Sequence, residues 1–289
     1  MEKIKSLLNS YERITNDILE GAVKKWNANV TIKVRVADVL EINNSGISNE
    51  RYSYALAAHF DFVITNSDYL PLFAVEFDGN YHYTDQDTLR KDIIKDGLVN
   101  EFGLPLLRIG ANFLQSLGKF NLLSWLIDEW FFYKSFNQAQ VEGLMGYDES
   151  YLYGSMFTFQ DNKLISHDPF YPYRKKLLSL SQPGQELRVE GAFDIFNNFI
   201  SFSSFKFKED GFVIGNARCR KFSYPPVELI NFAGDLAYCD AVSNYQRYLL
   251  CSYSAITYDD FETKREAFFK NSKTILSISR SSFGKMKRA

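Results

Sequence analysis

The stretch from residue 72 to residue 109 constrains this chain more than any other. LFAVEFD at 72–78 is a short apolar run suited to a strand. Asp85 or Asp87 then offers a helix cap. Leu89, Ile93, Ile94, Leu98 and Phe102 recur at helical spacing up to Gly103, which stands where a left-handed C-terminal cap belongs. LPLLRI at 104–109 reads as a second, buried strand. A strand, a helix and a strand in so short a length return as a parallel pair with a right-handed crossover.

The segments before it extend the same sheet. Residues 5–26 read as an amphipathic helix with Leu8, Tyr11, Ile14, Ile18 and Val23 on its apolar stripe. Residues 30–36 alternate as a strand, NNSG at 43–46 marks a turn in a looser segment, and residues 59–65 pair with 72–78 as a hairpin. The expected class is therefore α/β, a mixed sheet flanked by helices. A helix over 119–135 carries Trp125, Trp130 and Phe131. After it come strand-like runs, SMFTFQ, RVEGAFDIF and FISFSSFKFK, and a long helix opened by Pro225 and Pro226. The expected domains are 1–135, and 136–289 as an aromatic-rich α+β domain with a basic tail.

Net charge is only −2, which argues against a generic nucleic-acid coat, but the halves differ. Residues 1–150 carry 14 Lys+Arg against 21 Asp+Glu, and residues 151–289 carry 19 against 14. An acidic half that holds metal beside a basic half that holds phosphate would produce that asymmetry; so would an ordinary distribution of surface charge. Cys219, Cys239 and Cys251 are odd in number and form no C-x-x-C pair, which fits a reducing compartment and buried thiols. No stretch approaches 18 uncharged apolar residues and the N-terminus lacks a signal peptide's apolar run, so a soluble cytoplasmic protein without a membrane partner is expected.

The chemistry concentrates on the hairpin. Residues two apart in a strand share a face, so Glu76 and Asp78 project together while Val75 and Phe77 point the other way. If Thr65 pairs with Leu72, the register sets Asp61 opposite Glu76, with Cβ atoms ~5 Å apart. Three converging carboxylates repel one another unless a cation or protons neutralise them. Mg²⁺ or Mn²⁺, completed by a backbone carbonyl, water and a phosphate oxygen, is the natural solution; a solvated hairpin face is the plain alternative. His82, three residues after Gly79, is a candidate general base or phosphate ligand.

These residues resemble a known superfamily, the PD-(D/E)XK or restriction-endonuclease-like nucleases, and within it a bacterial family in the style of very-short-patch-repair endonucleases. VRVADV at 34–39, FDFVI at 60–64, AVEFDGNYH at 74–82, KDIIKDGL at 91–98 and GLPLLRI at 103–109 carry the resemblance, which covers about residues 8–110. It implies a Mg²⁺-dependent hydrolase of phosphodiester bonds in nucleic acid, with DNA expected before RNA. Asp61 and Glu76 would match the two acidic positions, the Phe77 carbonyl a third metal ligand, and Glu12 the auxiliary acid of the first helix. Where the superfamily usually has Lys two residues after the second acid, this chain has Asp78.

Lys95, on the helix after the hairpin, is the candidate substitute for that lysine; a solvated helix face is the ordinary reading of it and of Lys91. Arg108 is placed to pair with an acid. In the second half, Arg218, Arg220 and Lys221 beside Phe222 and Tyr224 form a candidate nucleic-acid contact, and the tail from Lys264 to Arg288 a nonspecific one. The alternatives are a catalytically degenerate nuclease fold that binds nucleic acid or scaffolds, and a protein-interaction module acting through its aromatic half.

Overall fold

The chain enters its first helix, α1 (Ser10–Val23), through a reciprocal cap: the Asn9 side chain accepts the Glu12 amide at 2.9 Å and Glu12 accepts the Asn9 amide at 2.8 Å. Two amides that a helix start would leave without partners are thereby satisfied. The buried face is Thr15, Leu19, Ala22 and Val23, while Tyr11 and Ile14 of the expected stripe are about half exposed. Small and hydroxylated residues at the contact hid the true face from hydrophobic periodicity. The computed structural model describes residues 4–79, 85–160, 163–195 and 198–282.

The chain divides into two units, one comprising residues up to Met156 together with Phe222–Val227, the other the remainder. In the first, β1 (Asn29–Arg35) leads through α2 (Val36–Val39) and α3 (Asn49–Ala57) to β2 (His59–Thr65) and β3 (Pro71–Phe77). The looser segment expected before β2 thus contains a helix, capped by the Ser48 side chain. Then α4 (Gln86–Glu101), capped by Asp85 and ended at Gly103 with φ +69°, crosses over to β4 (Leu106–Ile109). The sheet order is β1-β2-β3-β4, with the first two pairings antiparallel and β3 parallel to β4. This is the expected α/β class with a mixed sheet. Phe62 pairs with Val75 and Val63 with Ala74, the expected register, although a bulge pairs Thr65 with Pro71 instead of Leu72.

One core gathers Val63, Ala74, Leu98, Val99, Val36 and Ala55 between sheet and helices. On α4 the expected stripe is partly wrong: Ile93 is 72% exposed, and Asp92 and Lys95 are buried beside Leu98 and Val99. A short hairpin, β5 (Ser116–Leu117) with β6 (Phe120–Asn121), precedes α5 (Leu122–Val141), which runs without a break through residue 135. Its Trp130 packs on Phe73 at 4.8 Å between ring centres. Phe222–Val227 returns to this unit, where Ser223 bridges Leu106 and Tyr224 is buried against Phe73 and Trp130.

The second unit begins with β7 (Phe157–Gln160), β8 (Lys163–Ser166) and α6 (Tyr171–Leu180). Its main sheet is antiparallel, built from β9 (Glu186–Phe193), β10 (Phe199–Lys208) and β11 (Gly211–Cys219). After α7 (Leu229–Leu249) and α8 (Tyr258–Phe269), β12 (Leu276–Ser282) adds to β9, giving the order β11-β10-β9-β12. Helix α7 lies very close to the sheet: a Cβ added to Gly215 would stand 2.2 Å from the Ala241 nitrogen and 2.4 Å from the Ala237 carbonyl oxygen. Much of the basic tail is folded, Lys264 in α8 and Arg280 in β12, whereas residues 283–289 lie outside the described residues. Among the described residues no helix is long and apolar enough to cross a membrane. Cys219 and Cys239 are buried and Cys251 is exposed.

Candidate active site

Beyond the Phe62–Val75 pair, continuing the register sets Asp61 opposite Glu76, and there the two strands part. Asp61 fills the parting: its Oδ2 accepts the Phe77 amide at 3.0 Å, so a side chain replaces a ladder bond and is fixed by it. Phe77 therefore lies against Asp61 through its backbone, while its ring stacks on Tyr11 of α1 at 5.3 Å.

Lys95 reaches Glu76 from α4. Its Nζ donates to Glu76 Oε1 at 2.8 Å and to the His59 carbonyl at 2.9 Å, and the two side chains are only 8% and 7% exposed. Burial pushes the Glu76 carboxyl up to about 7; Lys95 opposes the shift and the charge of Asp61 adds to it. Lys91, one turn earlier, is exposed.

Asp78 has a different fate. Its side chain is fully buried and its Oδ1 accepts from Arg108 Nη1 at 2.9 Å. Arg108, itself 0% exposed, also donates to Asp96 Oδ1 at 2.9 Å and stands 3.4 Å from Asp92. Desolvation of so deep a guanidinium is outweighed by the surrounding carboxylates, which keep it charged. Asp78 thus anchors a buried arginine just past the end of β3.

A residue missed by sequence reasoning completes the set. Lys33, in mid-β1, has φ +51°, in the left-handed region rarely entered by residues other than glycine. Its Nζ donates to Asp61 Oδ1 at 2.6 Å and to Glu12 Oε1 at 2.8 Å. Alternation in VTIKVRV reads as a surface strand position, and only the β1–β2 register, Ile32 with Phe62 and Val34 with Phe60, sets Lys33 across from Asp61. Glu12 is tied both to that lysine and to the cap of α1.

In this network Glu12, Asp61, Glu76, Asp78, Asp92 and Asp96 face Lys33, Lys95 and Arg108, a formal excess of three negative charges among the described residues. The donors are all oxygen, the chemistry of a hard divalent ion. Among the described residues no three acidic, His or Cys side chains stand close enough to hold an ion alone. The set fits an ion of the Mg²⁺ kind, held by one or two carboxylates and otherwise by water or phosphate oxygens. His82 lies outside the described residues.

In the second unit, Arg218 is exposed and 3.7 Å from Asp194, Lys221 is exposed, and Arg220 is only 6% exposed. Tyr224 is buried, with its hydroxyl donating to the Leu126 carbonyl at 2.9 Å, a core residue of the first unit and not a stacking surface.

The fold and the acid–lysine set define a class only: an α/β unit with carboxylates and lysines gathered where two strands part. A family model described as a protein of unknown function (DUF2726) matches residues 4–117, the stretch holding Glu12, Lys33, Asp61, Glu76, Lys95 and Arg108. Comparison with curated proteins and with solved structures found no match.

Proposed function

We propose that the first unit is a Mg²⁺- or Mn²⁺-dependent nuclease that hydrolyses phosphodiester bonds of nucleic acid, DNA before RNA. The observation carrying this reading is the Lys95–Glu76 contact beside Asp61: an acid from each of two parting strands and a lysine from the following helix. It supplies, from α4, the ammonium that the resemblance expects at position 78. Asp61 and Glu76 are the carboxylates that would hold the ion, with the Phe77 carbonyl next to them. A divalent ion there lowers the pKa of bound water and offsets charge on the phosphate.

The chain's own groups do the rest. Lys95 has three N–H donors, two of them engaged with Glu76 and the His59 carbonyl; the third is assigned to the attacking water or the departing oxygen. Arg108 holds the strand end rigid through its three aspartates. The exposed Arg218 and Lys221 are assigned to phosphate contact. A cleavage screen over single- and double-stranded DNA and RNA, with Mg²⁺ and with Mn²⁺, tests the proposal. Cleavage should require the metal and disappear in Asp61→Ala, Glu76→Ala and Lys95→Ala; cleavage that survives in all three would sink it.

A second reading is favoured by the ion pairs that neutralise both Asp61 and Glu76. In it the site is catalytically degenerate and the protein binds nucleic acid or scaffolds a partner. Salt-sensitive binding without cleavage under either metal would support that reading.

A further inference from the structure

Glu12 and Asp61 come from different elements but are arranged alike. Each commits one carboxylate oxygen to a main-chain amide, Glu12 Oε2 to Asn9 at 2.8 Å and Asp61 Oδ2 to Phe77 at 3.0 Å. The amide behind each carboxylate fixes its orientation. The remaining oxygens, Glu12 Oε1 and Asp61 Oδ1, converge on one atom, Lys33 Nζ, at 2.8 and 2.6 Å. Two preoriented oxygens around one positive charge make a cation seat, and here a tethered ammonium fills it. The tether is set at φ +51°, so the backbone holds an unfavourable conformation at the residue that delivers the charge.

The two lysines of the site differ in the way this role requires. Lys95 is nearly inaccessible and also bound to a backbone carbonyl, so it is fixed. Lys33 is 30% exposed and, among the described residues, is bound by the two carboxylates alone, so its ammonium can leave for water without breaking the fold.

We propose that Lys33 is a built-in counter-cation that occupies the seat between Glu12 and Asp61 in the metal-free protein and is displaced to solvent when a divalent ion binds. Metal loading is then a competition between the ion and a residue of the chain. This rests on the reading of the site as metal-dependent, and it adds Glu12 to the groups that face the ion. Without the ammonium, the two carboxylates would repel each other and attract a free cation more strongly.

The test uses the full chain, metal-free, titrated with Mn²⁺ alone and with Mg²⁺ alone by calorimetry. Lys33→Met should bind about tenfold more tightly than the unaltered protein, the worth of two partly exposed ion pairs, while Lys33→Arg should bind no more tightly. In the unaltered protein, Lys33 should gain reactivity toward an amine-acylating reagent when Mn²⁺ is added, read by mass spectrometry. That second measurement needs no variant to fold. Binding by Lys33→Met alone would overturn the displacement, because the ion would then never enter the seat of the unaltered protein. Metal bound with equal affinity by both, and Lys33 no more reactive, would overturn it while leaving the metal-dependent reading intact. No binding to either protein would overturn both.

Discussion

Lys95 Nζ lies 2.8 Å from Glu76 Oε1 with both side chains more than nine-tenths buried, so each charge depends on the other. Removing one member of such a pair leaves the other desolvated and uncompensated. Lys95→Met should destabilise the metal-free protein by about 3 kcal/mol at a pH where Glu76 is ionised. The double variant Lys95→Met/Glu76→Gln should recover much of that loss. Chemical denaturation of all four proteins closes the cycle. Additive losses would mean that the contact carries no coupling.

The pH dependence follows from the same burial. Desolvation raises the Glu76 carboxyl from its ordinary 4.5 to about 7, against the pull of Lys95. Between those values the unfolded chain has released a proton that the folded protein retains, so stability falls as pH rises. The contribution is complete below pH 4.5 and gone above about 7. Its size is about 3 kcal/mol, and Glu76→Gln should lack it. Denaturation of the metal-free proteins across this range should therefore show the glutamine variant gaining on the unaltered chain. A constant difference between them would contradict the shift.

A lysine at position 78 should not be tolerated here. Asp78 is fully buried and bound to the equally buried Arg108. Asp78→Lys would set a second cation against Arg108 in place of one of its three aspartates, at a cost of at least about 3–5 kcal/mol. Asp78→Asn, which keeps a hydrogen-bond acceptor, should lose less. Thermal denaturation ranks them, and an Asp78→Lys protein as stable as the unaltered chain would show that the position tolerates the lysine after all.

What was legible in the sequence were features that a single segment carries alone. Gly103 announces its left-handed cap, LPLLRI its burial, and the hairpin register its opposition of Asp61 and Glu76. Features requiring a partner from elsewhere were illegible. Arg108 could be foreseen to pair with an acid, but not that Asp78, Asp92 and Asp96 all lie within its reach. Lys33 looks like any exposed strand lysine until α1 brings Glu12 across it. NERYSYALA at 49–57 buries only Ala55, and its helix is supported by the Ser48 cap and by packing against α4. Arg220 and Tyr224 looked like a surface because basic and aromatic residues alternate there, yet burial takes both.

The second unit offers a prediction independent of any function. Gly215 in β11 lies directly beneath α7, and an added Cβ would meet the Ala241 nitrogen at 2.2 Å and the Ala237 carbonyl at 2.4 Å. Both are backbone atoms, so no rotamer can relieve the overlap; the helix itself must move. Ala237 and Ala241, which meet Gly215 there, are small and allow the close approach. Gly215→Ala should therefore cost about 3 kcal/mol despite adding one methyl group, the upper end for overpacking. Gly21, on α1 of the first unit, has open space around its Cβ position. Gly21→Ala should be neutral to stabilising by about 1 kcal/mol through helix propensity. Limited proteolysis and denaturation of the two variants would separate them, and equal stability would mean that α7 does not press on the sheet at Gly215.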